Sequence, residues 1–316
     1  MGFQEADLIK LMCERVGVPS QPEGPGDDAS LSERRVTTVD LMVEDVHFKR
    51  FHPPFWLGRK LLAVNNSDVG AMGARPSSCV ISAALPPDTP VSWWDELSQG
   101  LGSLAAETGV SLVGGDLTRS PGPVMLGVTL WGDLDGDEAL LRSGGCVGDL
   151  VMLHSPQGIG RSSRGLDEWL AMSHQGWGRG TLEGLSACIK AHLCPETSWS
   201  EGPWALAAGA RAGMDCSDGL LADLPRLAAQ SGLRLEIDLA LLPEDPDLRG
   251  METIERAAGG EDYGLIVCVP PNKESTFSAR GFVTLGHVCP GEGVAWTIDG
   301  SPLESPGPSF THFKGS

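Results

Sequence analysis

Several things are scarce in this sequence, and each absence narrows the field. No run of apolar residues approaches the ~20 needed to span a bilayer, so no membrane partner is expected. The opening segment Met1–Asp7 has neither the basic start nor the apolar stretch of a secretory leader. Ala6 stands where a myristoylation signal needs Ser or Thr, and the expected location is the cytoplasm. Basic residues are few, with 23 Lys and Arg against 42 Asp and Glu and a formal net charge of −19. Phosphate backbones are bound by Lys and Arg, so nucleic acid is not expected as a partner. The eight cysteines contain no C-x-x-C pair, which argues against a zinc ribbon, and a disulfide framework is not expected in a chain this long. A P-loop, a Rossmann glycine fingerprint, kinase-type H-R-D and D-F-G signatures and a serine-hydrolase elbow are all missing. If phosphate is handled here, metal ions and loop backbone must do most of the work.

What is present fits an α+β protein of two domains. The 316 residues are 41% hydrophobic and 21% charged, close to globular averages. Periodicity predicts a helix over 5–16 with Ile9, Met12, Cys13 and Val16 on one side, and a strand over 35–39. It also predicts a helix over 56–72 and a helix capped by Ser92 with a stripe of Trp94, Leu97, Leu101, Leu104 and Ala105. A strand over 110–113 should run into a Gly-Gly-Asp turn, and Val124, Leu126, Val128 and Leu130 alternate as a half-buried strand. The Gly-, Asp- and Ser-rich stretch 133–145 marks a boundary, giving domains 1–138 and 139–316. In the second, strands are expected at 150–153, 233–239, 265–269 and 282–288, and helices at 166–172, 182–193 and 204–212.

Aspartates recur in segments of similar character: Gly26-Asp27-Asp28, Thr37-Thr38-Val39-Asp40, Asn65-Asn66-Ser67-Asp68, Gly114-Gly115-Asp116 and Asp215-Cys216-Ser217-Asp218. Loops and strand ends are where ligand sites are commonly built. Leu61, Val64 and Asp68 fall at i, i+3 and i+7, which sets a carboxylate on an apolar stripe. A buried carboxylate wants a cation or strong donors; if the helix stops short of it, Asp68 caps the next turn instead. Gly114-Gly115-Asp116 reads either as a backbone approach to phosphate or as an ordinary acidic turn. Asp215–Asp218 precedes Leu220, Leu224 and Leu227, so Ser217 or Asp218 can cap a helix, while Asp215 is left over. Two carboxylates ~4 Å apart repel by ~4 kcal/mol at an effective dielectric near 20. Converging acids of this kind therefore call for bound cations, and hard oxygen ligands select Mg²⁺ or Ca²⁺.

Taken together these segments resemble the thiamine-monophosphate kinase family. The resemblance runs through Pro25–Ala29, Thr37–Phe48, Ala63–Pro76, Gly114–Arg119, Leu141–Gly144, Asp215–Leu220, Gly259–Tyr263 and the closing Phe310–Phe313. It implies two α/β domains of the aminoimidazole-ribonucleotide synthetase type and dimerisation through the first. The implied reaction moves the γ-phosphoryl group of ATP directly onto the phosphate of thiamine monophosphate. Carried over residue by residue, Asp28, Asp40, Asp68, Asp116 and Asp215 would hold Mg²⁺, with Thr38 and Asp218 as further ligands. Gly115, Asp116, Arg142 and Ser217 would bind ATP, and His47 and Glu261 the thiamine phosphate. The attacking phosphate oxygen is already anionic at neutral pH, so no general base is implied.

Some positions depart from the family. Val39 stands where Thr or Ser is usual, Asp45 replaces a glycine in Glu44-Asp45-Val46-His47, and Gly264 replaces a glutamate. Gly307-Pro308 occupies the region where an aromatic covers the substrate. The alternatives are a non-catalytic paralogue that binds nucleotide or thiamine phosphate, and a sister ATP-dependent synthetase of the same superfamily.

Overall fold

Two mixed sheets divide the chain between them. The structure, a computed structural model, describes residues 5–19, 24–172 and 182–303. The C-terminal signature 310–313 and Gly307-Pro308 lie outside the described residues.

The first half runs α1 (Glu5–Val16), β1 (Ser30–Ser32), β2 (Arg35–Val43), α2 (Pro54–Ala71), β3 (Arg75–Leu85), α3 (Val91–Thr108), β4 (Ser111–Arg119) and β5 (Met125–Asp133). Its sheet has the order β1-β2-β5-β3-β4, with β3 and β4 parallel and the other pairs antiparallel. The second half runs β6 (Leu150–His154), α4 (Arg161–Ala171), α5 (Ala187–Leu193), α6 (Glu201–Ala208), β7 (Ala212–Cys216), α7 (Leu220–Ser231) and β8 (Arg234–Asp238). It continues with α8 (Thr253–Ala258), β9 (Gly264–Val269), α9 (Glu274–Ser278), β10 (Val283–Cys289), β11 (Gly293–Ile298) and β12 (Ser301–Pro302). Its seven strands are ordered β12-β11-β8-β10-β6-β9-β7.

Each sheet buries one alternating set of side chains. Val124, Leu126, Val128 and Leu130 are all fully buried on the inner face of the first sheet, against Leu57, Leu61 and Val69 of α2 and Leu97 and Leu101 of α3. Val151, Met214, Leu235, Ile237, Leu285 and the α7 residues Leu220, Leu224 and Leu227 form the second core. Helix α2 is buried nearly all round from Leu57 to Ala71, as a helix must be when it packs on several sides at once. Among the described residues no helix is long and apolar enough to cross a membrane.

Several elements differ from expectation at their ends. Helix α3 starts at Val91 behind an extended Pro90, so Ser92 sits inside the first turn and does not cap it. Strand β4 does not stop at residue 113 but pairs with β3 through Arg119, so Gly114-Gly115-Asp116 is strand rather than turn. Glycine is needed at 115 because a Cβ there would lie 2.3 Å from the Ile81 carbonyl oxygen, in the neighbouring strand. The helix expected over 182–193 is shortened to α5, begun by Ser186, whose hydroxyl accepts from the Ile189 N–H at 3.1 Å. The one expected over 204–212 starts earlier, at Glu201, and is stopped by Gly209 at φ 100°. Helix α1 has the expected span, yet its stripe stays open: Ile9, Met12 and Val16 are 42%, 60% and 78% exposed.

Candidate functional site

Strand β2 supplies the first donors. Alternation puts Thr38 and Asp40 on the buried face and Val39 on the other, where it is 68% exposed. A hydroxyl in place of Val39 would therefore point away from Asp40. Helix α2 brings Asp68 to the same spot, and the Thr38 hydroxyl donates to Asp68 Oδ2 at 2.6 Å. Asp68 thus lies within the helix, not in a cap beyond it. One residue earlier, the Ser67 hydroxyl donates to Asp215 Oδ2 at 2.9 Å, which ties α2 to the buried strand β7. The loop before β1 contributes Asp28, whose Oδ2 accepts from the Asp215 backbone N–H at 3.3 Å.

Aspartates from three elements of the first half and one of the second thus meet. Asp68 is pushed well above the ordinary carboxylate range by burial, then by the charges of Asp40, Asp215 and Asp28. Asp215 is raised by burial and by Asp28 and Asp223. Asp40 is pushed up to about 6 by burial and by Asp218.

Two arginines compensate the margins. Arg142 forms an ion pair with Asp28, with Nε 3.1 Å from Oδ1, and its backbone N–H donates to Asp27 Oδ1 at 2.7 Å. Arg142 and Asp28, expected to serve ATP and metal respectively, here engage each other. Arg226 Nη1 lies 2.6 Å from Asp218 and 2.7 Å from Asp223. Asp223 is fully buried, and its Oδ2 accepts from the Asp218 N–H at 3.0 Å. The N-cap of α7 is Gly219 with no side-chain bond, so the expected cap by Ser217 or Asp218 is not formed. Asp223, from inside the helix, instead holds the Asp218 N–H one residue ahead of the cap, a role that local sequence pattern does not mark.

Asp116 and Gly115 are not with this cluster within the chain. Register runs Asp40–Val128–Ile81–Gly115 across the sheet, placing the two ends three strand spacings apart, about 14 Å. Alternation sets Asp116 with Ser82 and Leu41 on the face opposite Asp40. His47 is half-buried in the turn after β2, where its Nδ1 accepts from the Val43 N–H at 3.0 Å.

The second part of the site is the 259–263 loop. Its Glu261 and Tyr263 take positive φ of 64° and 48°, the left-handed region that non-glycine residues rarely occupy. Backbone bonds from Glu261 N–H to the Ser217 carbonyl (2.6 Å) and from Tyr263 N–H to that of Cys216 (2.8 Å) fix it beside the end of β7. Gly264 suits this position, since a Cβ would sit 2.9 Å from the His154 carbonyl oxygen. Glu261 Oε1 is 2.9 Å from Lys60 Nζ, and Oε2 is 3.1 Å from His192 Nδ1. Burial pulls this carboxyl upward, but Lys60 and His192 outweigh it and hold the group well below the usual range. Tyr263 joins the two parts: burial raises its phenol, as do the charges of Glu261, Asp40, Asp215 and Asp68.

The donor set suits Mg²⁺. Asp40 is raised by burial and by Asp218, and Asp68 by burial and by Asp40, Asp215 and Asp28, against a smaller lowering by the Thr38 hydroxyl. Hard oxygens under mutual repulsion are what a Mg²⁺ ion relieves. A separate trio, Glu236, His287 and Cys289, lies on paired strands β8 and β10 with potential ligand atoms within 4.8 Å of one another. There Arg234 Nε already stands 3.6 Å from Glu236.

Comparison with known proteins bears on the same residues. The family model described as AIR synthase related protein, N-terminal domain, matches residues 26–134, and its C-terminal counterpart matches 147–298. The thiamine-monophosphate kinase of Mycobacterium tuberculosis (strain ATCC 25618 / H37Rv) is 35% identical over 294 residues, covering 87% of this chain and 83% of the relative. That of Escherichia coli (strain K12) is 32% identical over 307 residues, covering 92% and 91%. The solved structure of AaThiL complexed with AMPPCP and TMP superposes with a TM-score of 0.84 at 30% identity, covering 98% of this chain and 97% of that one. With both domain models matched in order and the likeness extending over most of its length, this chain belongs to the thiamine-monophosphate kinase family.

Proposed function

We propose that this protein phosphorylates thiamine monophosphate to thiamine diphosphate, taking the γ-phosphoryl group of ATP by direct in-line transfer. The observation that carries the reading is the convergence of Asp28, Asp40, Asp68, Asp215 and Asp218, drawn from both halves, around Tyr263 and next to Glu261. The acids would hold Mg²⁺, which when bound neutralises phosphate charge and bridges phosphates to the protein. Thr38 donates to Asp68 and Ser67 to Asp215, so each carboxylate has one oxygen committed to the protein and would offer the other to a metal ion. Ser217 and Arg142 would contact the nucleotide, and Glu261 with His47 would receive the thiamine phosphate. The acceptor oxygen is already ionised, so catalysis consists of alignment and charge neutralisation.

The division of labour follows the two halves, with 1–138 binding metal and ATP and 139–316 closing the site. A homodimer is part of this reading. The outer face of the first sheet bares Val39 and Leu41 of β2, and edge strand β4 bares Leu112, Val113 and Leu117, each more than half exposed. A second copy seated there would cover these side chains and bring another Asp116 and Gly115 toward the site, which this chain's own register keeps away from Asp40. The cytoplasm, where ATP is plentiful, is the expected setting.

The test is direct. Purified protein is incubated with ATP, Mg²⁺ and thiamine monophosphate, and the products are separated by chromatography. Thiamine diphosphate appearing in step with ADP, and lost without Mg²⁺ or with free thiamine as acceptor, is the expected result. Nucleotide binding without product would instead point to a non-catalytic paralogue.

A further inference from the structure

Lys60 is 2% exposed in the middle of α2, an unusual place for an ammonium group. Its contact at 2.9 Å is Glu261, and among the described residues no group meets its Nζ with full hydrogen-bond geometry. On the other side of Glu261 stand two buried imidazoles in line. His52 Nδ1 lies 2.9 Å from the Lys49 backbone nitrogen and 3.1 Å from the Lys49 carbonyl oxygen. His52 Nε2 lies 3.2 Å from His192 Nε2, and His192 Nδ1, 3.1 Å from Glu261 Oε2, is placed to donate to that carboxylate. Both rings are buried, with 3% and 1% exposure, and burial lowers both pKa values, that of His52 to about 3. Both imidazoles are therefore neutral, and Lys60 supplies the single charge that compensates Glu261.

We infer that Lys60 and His192 are positioning residues for Glu261. They hold its carboxylate from beneath, one oxygen each, facing the acceptor substrate. The side chain of Glu261 remains 30% exposed while Lys60 and His192 are sealed beneath it. What the site presents outward is thus an acceptor-only anionic edge backed by a fixed cation. Such an edge recognises an organic head carrying N–H donors or positive charge, which fits the aminopyrimidine and cationic thiazolium rings of thiamine. It contributes nothing to the phosphates. This inference rests on the function proposed above.

The experiment is a double-variant cycle on the full chain, with Lys60→Met, Glu261→Gln and both together, reading kcat, KM for thiamine monophosphate and KM for ATP. Wild-type turnover is measured first; its absence sinks the function, independently of Lys60. With an active wild type, Lys60→Met and Glu261→Gln should each raise KM for thiamine monophosphate at least tenfold. KM for ATP should stay within about twofold, and the double variant should be no worse than Glu261→Gln alone, since both act through one carboxylate. If Lys60→Met does not fold, the double variant, which buries no unpaired charge, carries the comparison against Glu261→Gln. An unchanged KM for thiamine monophosphate in Lys60→Met, or a double variant more than threefold worse than Glu261→Gln, overturns the assignment.

Discussion

Replacing Asp40 by asparagine should stabilise the metal-free protein while abolishing its response to Mg²⁺. Burial and the Asp218 charge lift the Asp40 carboxyl from 3.8 to about 6. A carboxylate whose folded pKa exceeds its unfolded value opposes folding, not below pH 3.8 but increasingly from there to about pH 6, and fully above it. At ~1.4 kcal/mol per pH unit the ionised group costs about 3 kcal/mol at pH 7.5. Asparagine removes that charge but is itself buried, so a net gain of about 1–3 kcal/mol is expected. Unfolding entropy of ~2.1 cal/mol/K per residue converts this into a rise in Tm of roughly 2–5 °C for a chain of this length. The assay is thermal unfolding of wild type and Asp40→Asn in EDTA at pH 7.5 and pH 4, then with Mg²⁺ at pH 7.5. The difference between the two proteins should shrink toward zero at pH 4, where both are uncharged at this position. Because the comparison is between two proteins at each pH, titrating groups remote from Asp40 cancel, while Asp68 and Asp218, which interact with its charge, add to the same difference. Mg²⁺ should raise the wild type by mass action and leave the variant nearly unmoved. A variant no more stable than wild type in EDTA, or a gain that persists at pH 4, would refute the electrostatic account.

Other expectations follow from the same contacts. Asp68→Asn should lower turnover at least about 100-fold while circular dichroism stays native, because the carboxylate at the centre of the cluster is lost; near-normal activity would remove Asp68 from the site. His52 is held neutral with a pKa of about 3, below its unfolded value, so its contribution is full above pH 6.5 and is lost as pH falls. Urea titrations between pH 6.5 and 4 should show stability falling by up to ~1.4 kcal/mol per pH unit from this ring, a slope that His52→Gln flattens. Asp45→Gly should raise stability by up to about 1 kcal/mol, since Asp45 sits at φ 67° where a glycine is unstrained; a loss of stability would show that its Lys49 pairing matters more.

The departure at Asp45 shows what one sequence can and cannot convey. That a glycine position was filled by Asp was visible, and the left-handed backbone explains why glycine is usual there. The helix over 5–16 and the alternation from Val124 to Leu130 were legible because a single element's periodicity carries them. Asp68 could be suspected from its place on an apolar stripe, and its burial with Asp40 and Asp215 shows why that signal was real. Gly114-Gly115-Asp116 misled because glycine composition marks a turn and a close strand pairing alike. Lys60, His52, His192 and Asp223 were passed over for a different reason. Lys60, His52 and His192 meet partners distant in the chain, as His52 and His192 are, 140 residues apart, and no local pattern encodes such a partner; Asp223 has local partners in Asp218 and Arg226, but its burial is not marked by the helical pattern around it.

Helix α2 has one further consequence. Lys60 and Ser67 are seven residues apart, two helical turns, and so lie on one face, where they meet Glu261 and Asp215 of the second half. Asp68 follows one residue on, so Lys60 and Asp68 stand about 12 Å apart along a rigid axis at 1.5 Å per residue. On the function proposed above the helix would act as a ruler, setting the gap between the anchor for an organic head and the charges that receive its phosphate. A molecule too short to reach both marks would fill either end and still be a poor acceptor. Selectivity for the length of the substrate would then be written into a buried helix rather than into a pocket wall.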